Sequence, residues 1–121
     1  MYKFALVDDE IVFLKILDQK LSNILFEKHI EYHLSSFNQP TSFLKTLSQE
    51  NYDIVFLDID MPNENGIDIA RRLRNIDHPP VVIFVTSKEK YMRDAFGMNV
   101  FACIVKEKMN EELAPIMTDC L

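Results

Sequence analysis

The chain has 121 residues, of which 48% are hydrophobic, and carries a formal net charge of -6. This length predicts one domain, residues 1–121, and no apolar run approaches the roughly 20 residues of a membrane-spanning helix, so we expect a soluble protein and no membrane partner. The acidic balance argues against a nucleic-acid-binding surface on this domain, and the two cysteines, Cys103 and Cys120, lack metal-binding spacing and suit a reducing cytoplasmic location.

Strands and helices are predicted to alternate along the whole chain. Continuous apolar runs predict buried strands, strict alternation of apolar and polar residues predicts a half-exposed strand, and apolar residues at helical spacing predict helices. In chain order, the patterns predict a strand over 2–7, a helix over 10–27, a half-exposed strand over 29–37, a helix over 41–49, a strand over 53–57, a helix over 66–75, a strand over 81–85, a helix over 89–97, a strand over 101–105 and a helix over 110–121.

This alternation predicts an α/β fold. Right-handed crossovers between successive strands give a doubly wound five-stranded parallel sheet with helices on both faces. Placing the half-exposed second strand at an edge gives the flavodoxin-like order 2-1-3-4-5, in which the chain changes direction between strands 1 and 3. The pair Asp8-Asp9 then lies beside Asp58.

Polar side chains follow four of the predicted strands. Asp8 and Asp9 follow strand 1, Asp58 follows strand 3, Thr86 follows strand 4 and Lys106 follows strand 5. Three carboxylates about 4 Å apart repel one another by about 4 kcal/mol per pair at an effective dielectric constant of 20, so they require a cation or shared protons. A few oxygen ligands open to water favour Mg²⁺.

This set of residue types suits phosphoryl chemistry. With the metal in place, Asp58 is a candidate nucleophile toward phosphorus, while Thr86 and Lys106 would hold the phosphoryl oxygens. Each residue also has a simpler explanation: Asp8-Asp9 and Thr86 could cap helices, Asp58 could cap a loop, and Lys106 could be a solvated strand-end lysine. Their joint placement at one sheet edge favours the chemical interpretation.

The same residues carry a resemblance to a known family. The acidic pair Asp8-Asp9, the segment 58–62 with Gly66 downstream, Thr86 after an apolar strand, and Lys106 resemble the receiver domain of two-component response regulators over essentially the whole chain. The resemblance implies that a sensor histidine kinase transfers a phosphoryl group to Asp58.

The resemblance also implies roles for the residues of the site. Asp9 and Asp58 would bind Mg²⁺ directly together with the backbone carbonyl of Asp60, and Asp8 would act mostly through a water molecule. Thr86 would turn inward to bond the phosphoryl group, and Lys106 would pair with it. Apart from its own phosphorylation and dephosphorylation, the domain would be no enzyme.

The implied output is conformational. Phosphorylation would switch the surface formed by helix 4, strand 5 and helix 5, with homodimerisation or partner binding as the result. Segments 83–87 and 91–99 are most similar to the corresponding segments of receivers attached to LytTR-type DNA-binding domains. Control of transcription would then act through an effector domain that is absent from this chain.

Two positions depart from the family pattern. Glu107 stands where a proline usually follows the lysine, and Cys103 stands where an aromatic residue usually moves with the hydroxyl residue. We hypothesise that the ring of Phe101, which shares a strand face with Cys103, takes part instead.

Three other functions are compatible with parts of this pattern. A degenerate receiver would be a phosphorylation-independent interaction module, which the two departures keep open. A phosphatase or phosphotransferase could use Asp58 and Asp60 as nucleophile and acid, but that motif belongs to a larger fold with a cap. A flavin-binding module would need a phosphate-cradling loop after strand 1, where this chain is acidic.

Overall fold

The structure, a computed structural model, describes residues 1–62, 64–95 and 100–121. Strands and helices alternate in it as the sequence predicts. They are β1 (Tyr2–Val7), α1 (Ile11–Glu27), β2 (Tyr32–Phe37), α2 (Pro40–Thr46), β3 (Ile54–Asp58), α3 (Gly66–Leu73), β4 (Val81–Thr86), α4 (Met92–Ala95), β5 (Ala102–Val105) and α5 (Met109–Cys120).

The five strands form one parallel sheet in the order β2-β1-β3-β4-β5. The predicted fold class and strand order are therefore confirmed. The register aligns the carboxyl ends of the strands, since Val7 pairs with Leu57, Asp58 with Val85, and Thr86 with Val105. Residues at and just after these ends are thus brought to one edge of the sheet.

Hydrophobic side chains cover both faces of the sheet. Successive strand residues point to opposite faces, so each central strand contributes to two core layers. On one face, α1 and α5 bury residues such as Leu21 and Met117 against Phe56. On the other face, α2, α3 and α4 pack Phe43 and Leu73, among others, against the sheet. This two-sided burial holds the strand ends in fixed relative positions.

Several element boundaries differ from the predicted ones. β2 begins at Tyr32 rather than at residue 29, because the chain leaves α1 through His29, which has a positive φ of 58°, and the Ile30 N–H bonds the Leu25 carbonyl. α2 ends at Thr46, where tighter turn bonds replace the helical pattern. β3 runs from Ile54 to Asp58 rather than over 53–57, and Asp58 lies at its carboxyl end as predicted.

A small ribbon and two 3₁₀ turns add to the predicted elements. Residues Asp60–Met61 and Glu64–Asn65 pair as a small antiparallel ribbon after β3. A single 3₁₀ turn, Lys106–Lys108, precedes α5, and another, Glu89–Tyr91, precedes α4. The predicted end of helix 4 at Gly97 lies outside the described residues. In the described part of the chain, no helix is long and apolar enough to cross a bilayer.

Replacing Leu21 by Ala tests the core beneath α1. Leu21 is fully buried, so the substitution should lower the free energy of unfolding by about 2–5 kcal/mol through lost burial and the remaining cavity. Urea unfolding followed by circular dichroism measures the change. Val12→Ala, on the exposed face of the same helix, should change it by less than about 0.5 kcal/mol. Equal losses from both variants would contradict this packing.

Candidate functional site

The carboxyl edge of the sheet gathers most of the predicted site residues. Asp8 follows β1 directly, Asp58 and Thr86 are the last residues of β3 and β4, and Lys106 is the first residue after β5. Parallel pairing brings the four strand ends together, although the residues are far apart in sequence. The loop after β1 adds Asp9 to the same edge.

Three carboxylates form the centre of the site. Asp8, Asp9 and Asp58 can each offer one oxygen such that the three oxygens lie within 4.8 Å of one another. Asp8 and Asp58 are only 2% and 3% exposed, whereas Asp9 reaches solvent beside an open cavity of about 340 Å³. An all-oxygen donor set with space for water suits a hard divalent cation.

Asp8 has one satisfied and one unsatisfied oxygen. Its Oδ1 accepts a hydrogen bond of 2.9 Å from the Glu10 N–H, which fixes the start of α1. Its Oδ2 is buried and accepts no hydrogen bond in the described part of the chain, although the Lys106 Nζ lies 2.7 Å away. Burial raises the pKa of Asp8, and the contact with Lys106 offsets only part of that rise. A buried oxygen of this kind is a fitting neighbour for a cation or its water.

Asp58 is the most perturbed acid of the site. Burial first, and then the nearby charge of Asp8, raise its pKa to about 8, against a smaller lowering by Lys106. The neighbouring Asp9 carboxyl contributes to the same rise in the pKa. Near neutral pH the cluster therefore retains a proton in the absence of a cation, and a bound divalent cation would replace that proton.

Lys106 supplies the positive charge of the site. Its Nζ lies 2.7 Å from Asp8 Oδ2, 2.6 Å from Glu10 Oε1 and 3.8 Å from Asp58 Oδ2. It also lies 4.5 Å from the centroid of the Phe13 ring, within the range of a cation–π contact. Burial lowers the pKa of Lys106, but its contacts with the carboxylates of Asp8 and Glu10 raise it more, so the net shift is upward and the ammonium stays charged.

Glu10 and Phe13 were not among the predicted site residues. Their spacing of three residues places them on one face of α1, directly after the acidic pair. From the sequence, this spacing predicts only that the two side chains share a face. It does not predict that the face contacts Lys106. The rotation of α1 on the sheet, set by its buried leucines, decides this.

Thr86 lies at the site edge but is engaged elsewhere. The side chain is fully buried, its Oγ1 accepts a bond of 3.2 Å from the Lys88 N–H, and it lies 3.3 Å from the Lys88 carbonyl oxygen, to which it donates. In this arrangement the Thr86 hydroxyl stabilises the turn after β4. Its predicted inward turn toward a phosphoryl group stays a prediction.

The backbone behind Asp58 depends on Gly66. The Gly66 N–H donates to the Ile59 carbonyl, and a Cβ atom at residue 66 would lie 2.1 Å from the Asp58 carbonyl oxygen. Asn65 caps α3 by accepting a 2.7 Å bond from the Ile67 N–H. Because only glycine fits this approach, α3 begins directly against the end of β3 and fixes the position of Asp58. Asp60 lies in the ribbon between them.

The geometry has the form of a known class of signalling domain. Residues 4–117 match the family model described as the response regulator receiver domain, and the chain therefore belongs to that family. It is the receiver domain of a two-component response regulator, as the sequence resemblance predicts.

Two curated relatives and one solved structure illustrate the similarity. The chain is 29% identical over 106 residues to the sensory transduction protein LytT of Bacillus subtilis (strain 168), which covers 88% of this chain and 42% of LytT. It is 29% identical over 104 residues to the transcriptional regulatory protein LytR of Staphylococcus aureus (strain N315), which covers 86% of this chain and 41% of LytR. The predicted similarity to the LytTR subgroup is thus confirmed, and the chain spans about two fifths of the length of these relatives.

The fold is also similar to that of the response regulator protein TrrA from Thermotoga maritima. That crystal structure, which is of a complex with Mg(2+)-BeF, superposes with a TM-score of 0.84 at 26% sequence identity and covers 100% of both chains.

The raised pKa of Asp58 predicts a pH-dependent stability in buffer without divalent cations. The unfolded carboxyl loses its proton near 3.8 and the folded one near 8, so the folded state binds more protons between these values and this group's contribution to the free energy of unfolding should fall as pH rises from about 4 to about 8. Asp58→Asn should remove this pH dependence. The change that it causes in the free energy of unfolding should be more favourable at pH 8 than at pH 4.5, by at least about 1 kcal/mol. Urea unfolding at both pH values measures it.

The exposed substitution Asp77→Asn is the control for this comparison and should follow the unsubstituted protein at both pH values. Adding Mg²⁺ at pH 8 should stabilise the unsubstituted protein and leave Asp58→Asn nearly unchanged, because only an occupied native site adds stability. Parallel pH profiles for Asp58→Asn and the unsubstituted protein would contradict the buried-acid description.

Replacing Gly66 by Ala tests the close approach behind Asp58. The added Cβ must displace the Asp58 carbonyl or the start of α3, so the substitution should destabilise the domain by about 1–3 kcal/mol and weaken Mg²⁺ binding. Thermal unfolding with and without Mg²⁺ measures both effects. Asp68→Ala, at an exposed position of the same helix, should leave Mg²⁺ binding intact. Unchanged Mg²⁺ binding in Gly66→Ala would show that this contact does not set the site.

Proposed function

We propose that Asp58 accepts a phosphoryl group, in a Mg²⁺-dependent reaction, from the phosphohistidine of a sensor histidine kinase. The observation that carries this proposal is a buried, fixed carboxylate at a strand end with two further carboxylates and one lysine beside it. A cluster of this kind holds a proton or a divalent cation, and with the cation bound the Asp58 carboxylate is deprotonated and can act as a nucleophile.

The donor set supports Mg²⁺ as the cation. Asp9 and Asp58 would contribute carboxylate oxygens, Asp60 its backbone carbonyl, and Asp8 a bond to a metal-bound water. When bound, Mg²⁺ would supply charge neutralisation for the carboxylates and for the phosphoryl oxygens. The crystal structure of TrrA in complex with Mg(2+)-BeF is of a similar protein and supports this choice.

The remaining steps belong to residues of this chain. A carboxylate oxygen of Asp58 attacks phosphorus and forms a P–O bond as the P–N bond of the phosphohistidine breaks, and the electron pair of that bond stays on the imidazole. Lys106 then pairs with the phosphoryl oxygens as a point charge. The Thr86 hydroxyl gives up its hydrogen bonds to Lys88 and donates a hydrogen bond to one of the phosphoryl oxygens. Water later attacks phosphorus, the P–O bond to Asp58 breaks, inorganic phosphate and a proton leave, and the Asp58 carboxylate is restored.

The conformational output follows from these two movements. Thr86 ends β4, and Lys106 follows β5, so a change at either residue is passed to α4, β5 and α5. This surface would control homodimerisation or partner binding. A transcriptional output would act through a DNA-binding domain outside this chain, as the name of the relative LytR supports. The acidic domain itself would not bind nucleic acid, and its cytoplasmic location stays a prediction.

The departures at Cys103 and Glu107 leave this chemistry in place. Burial raises the pKa of the Cys103 thiol to about 11, so it stays protonated and packs against the core layer beneath α4. No cis peptide bond fixes Lys106 among the described residues, and Glu107 is exposed. Phe101, at 45% exposure just before β5, has room to move, and its part in the switch stays a prediction.

Intact-mass analysis after incubation with acetyl phosphate tests the proposal. The protein should gain one phosphoryl group in the presence of Mg²⁺ and none in its absence, and Asp58→Asn should gain none. Asp60→Ala is the matched control, because it removes a neighbouring carboxylate and keeps the backbone carbonyl that the proposal uses. It should still be phosphorylated.

A different pattern of mass gain would overturn the proposal. A gain that persists in Asp58→Asn would place the phosphoryl group elsewhere. No gain in the unsubstituted protein, with acetyl phosphate and also with a phosphorylated histidine kinase, would leave the phosphorylation-independent interaction module as the function of the domain.

A further inference from the structure

Lys106 contacts two carboxylates of different exposure. On one side is Asp8, whose side chain is 3% exposed and is fixed by the Glu10 N–H. On the other side is Glu10, whose side chain is 60% exposed and whose carboxylate bonds the ammonium at 2.6 Å. The Phe13 ring lies against the ammonium as a third neighbour. Asp8 cannot leave, whereas Glu10 can turn into solvent.

The distances show which carboxylates the ammonium favours in this state. Lys106 Nζ is 2.6 Å from Glu10 but 3.8 Å from Asp58, the residue that would carry the phosphoryl group. Its closest contacts are therefore with Glu10 and Asp8. An ammonium has three donors in compact geometry and cannot optimise every contact at once. A new anionic group on Asp58 therefore competes with Glu10 for the same cation.

We infer that Glu10 is a positioning residue that restrains Lys106 in the unphosphorylated protein and must release it before Lys106 can pair with a phosphoryl group. This inference rests on the proposed function of Asp58. Glu10 thereby opposes formation of the phosphorylated state, while Asp8 and Phe13 keep Lys106 at the site after release. The position of Glu10, directly after the acidic pair, makes it part of the switch without making it a ligand of the metal or the phosphoryl group.

Binding of beryllofluoride with Mg²⁺, a stable mimic of an aspartyl phosphate, tests this inference by titration. Glu10→Gln should tighten beryllofluoride binding by about two- to fivefold at low salt, since partly exposed ion pairs contribute modestly. The gain should shrink at high salt, because exposed charges are screened. In a Lys106→Met background, Glu10→Gln should have no effect, because Glu10 acts through Lys106.

Glu107→Gln is the matched control. It removes an equal charge from an exposed residue next to Lys106 and should leave beryllofluoride affinity within about 1.5-fold, because it forms no ion pair with Lys106 in the described structure. Equal tightening by both substitutions, or the same tightening in the Lys106→Met background, would show a general field effect and overturn the inference. Unchanged or weaker binding in Glu10→Gln would also overturn it.

A second measurement separates this inference from the proposed function. In protein labelled with ¹³C-lysine, the Lys106 Cε resonance reports the restraint before any phosphoryl mimic is added. Glu10→Gln should shift that resonance and Glu107→Gln should leave it nearly in place. Failure of the unsubstituted protein to bind beryllofluoride would count against phosphorylation of Asp58, whereas an unshifted Lys106 resonance in Glu10→Gln would count against the restraint alone.

Discussion

Repulsion among three carboxylates at one sheet edge is the constraint on which the rest of the structure depends. Asp8, Asp9 and Asp58 lie within 4.8 Å through their nearest oxygens, and two of them are buried. Charges of one sign so close together are unfavourable in a folded protein, and Lys106 compensates for only part of their charge. The fold keeps them together because β1 and β3 are neighbouring parallel strands whose carboxyl ends lie side by side. The site therefore favours a proton, a divalent cation or both.

The surroundings of this cluster divide into a fixed part and a releasable part. Asp58 is fixed by the close contact with Gly66 at the start of α3, and Asp8 is fixed by the N–H of Glu10, the residue before α1. The Thr86 hydroxyl, by contrast, is bonded to its own turn, and the exposed Glu10 side chain contacts Lys106. A switch needs this division, because a change of state requires contacts that exchange partners while the reacting group stays in place. In the proposed function, phosphorylation acts on the releasable contacts.

The sequence predicted the parts of the structure that follow from period and order. Long apolar runs located the strands, and their alternation with helices fixed the sheet order, so the meeting of Asp58 with Asp8 and Lys106 could be predicted from topology alone. It did not predict β2 to begin at Tyr32, because the left-handed turn at His29 is a local backbone feature without a periodic signal. The ribbon after β3 is too short to show a period. Glu10 and Phe13 were missed because their contact with Lys106 depends on the rotation of a helix.

The two departures from the family pattern can be understood from the same division. A proline after Lys106 would restrain the position of the lysine through the backbone. In this chain Glu107 stands there, and the side chains of Asp8, Glu10 and Phe13 contact the ammonium instead. Side-chain contacts of an exposed carboxylate are weaker and more sensitive to salt than a backbone constraint. A new charge on Asp58 can therefore outcompete the contact between Lys106 and Glu10. In the proposed function, the loss of the backbone constraint makes the lysine itself one of the moving parts of the switch.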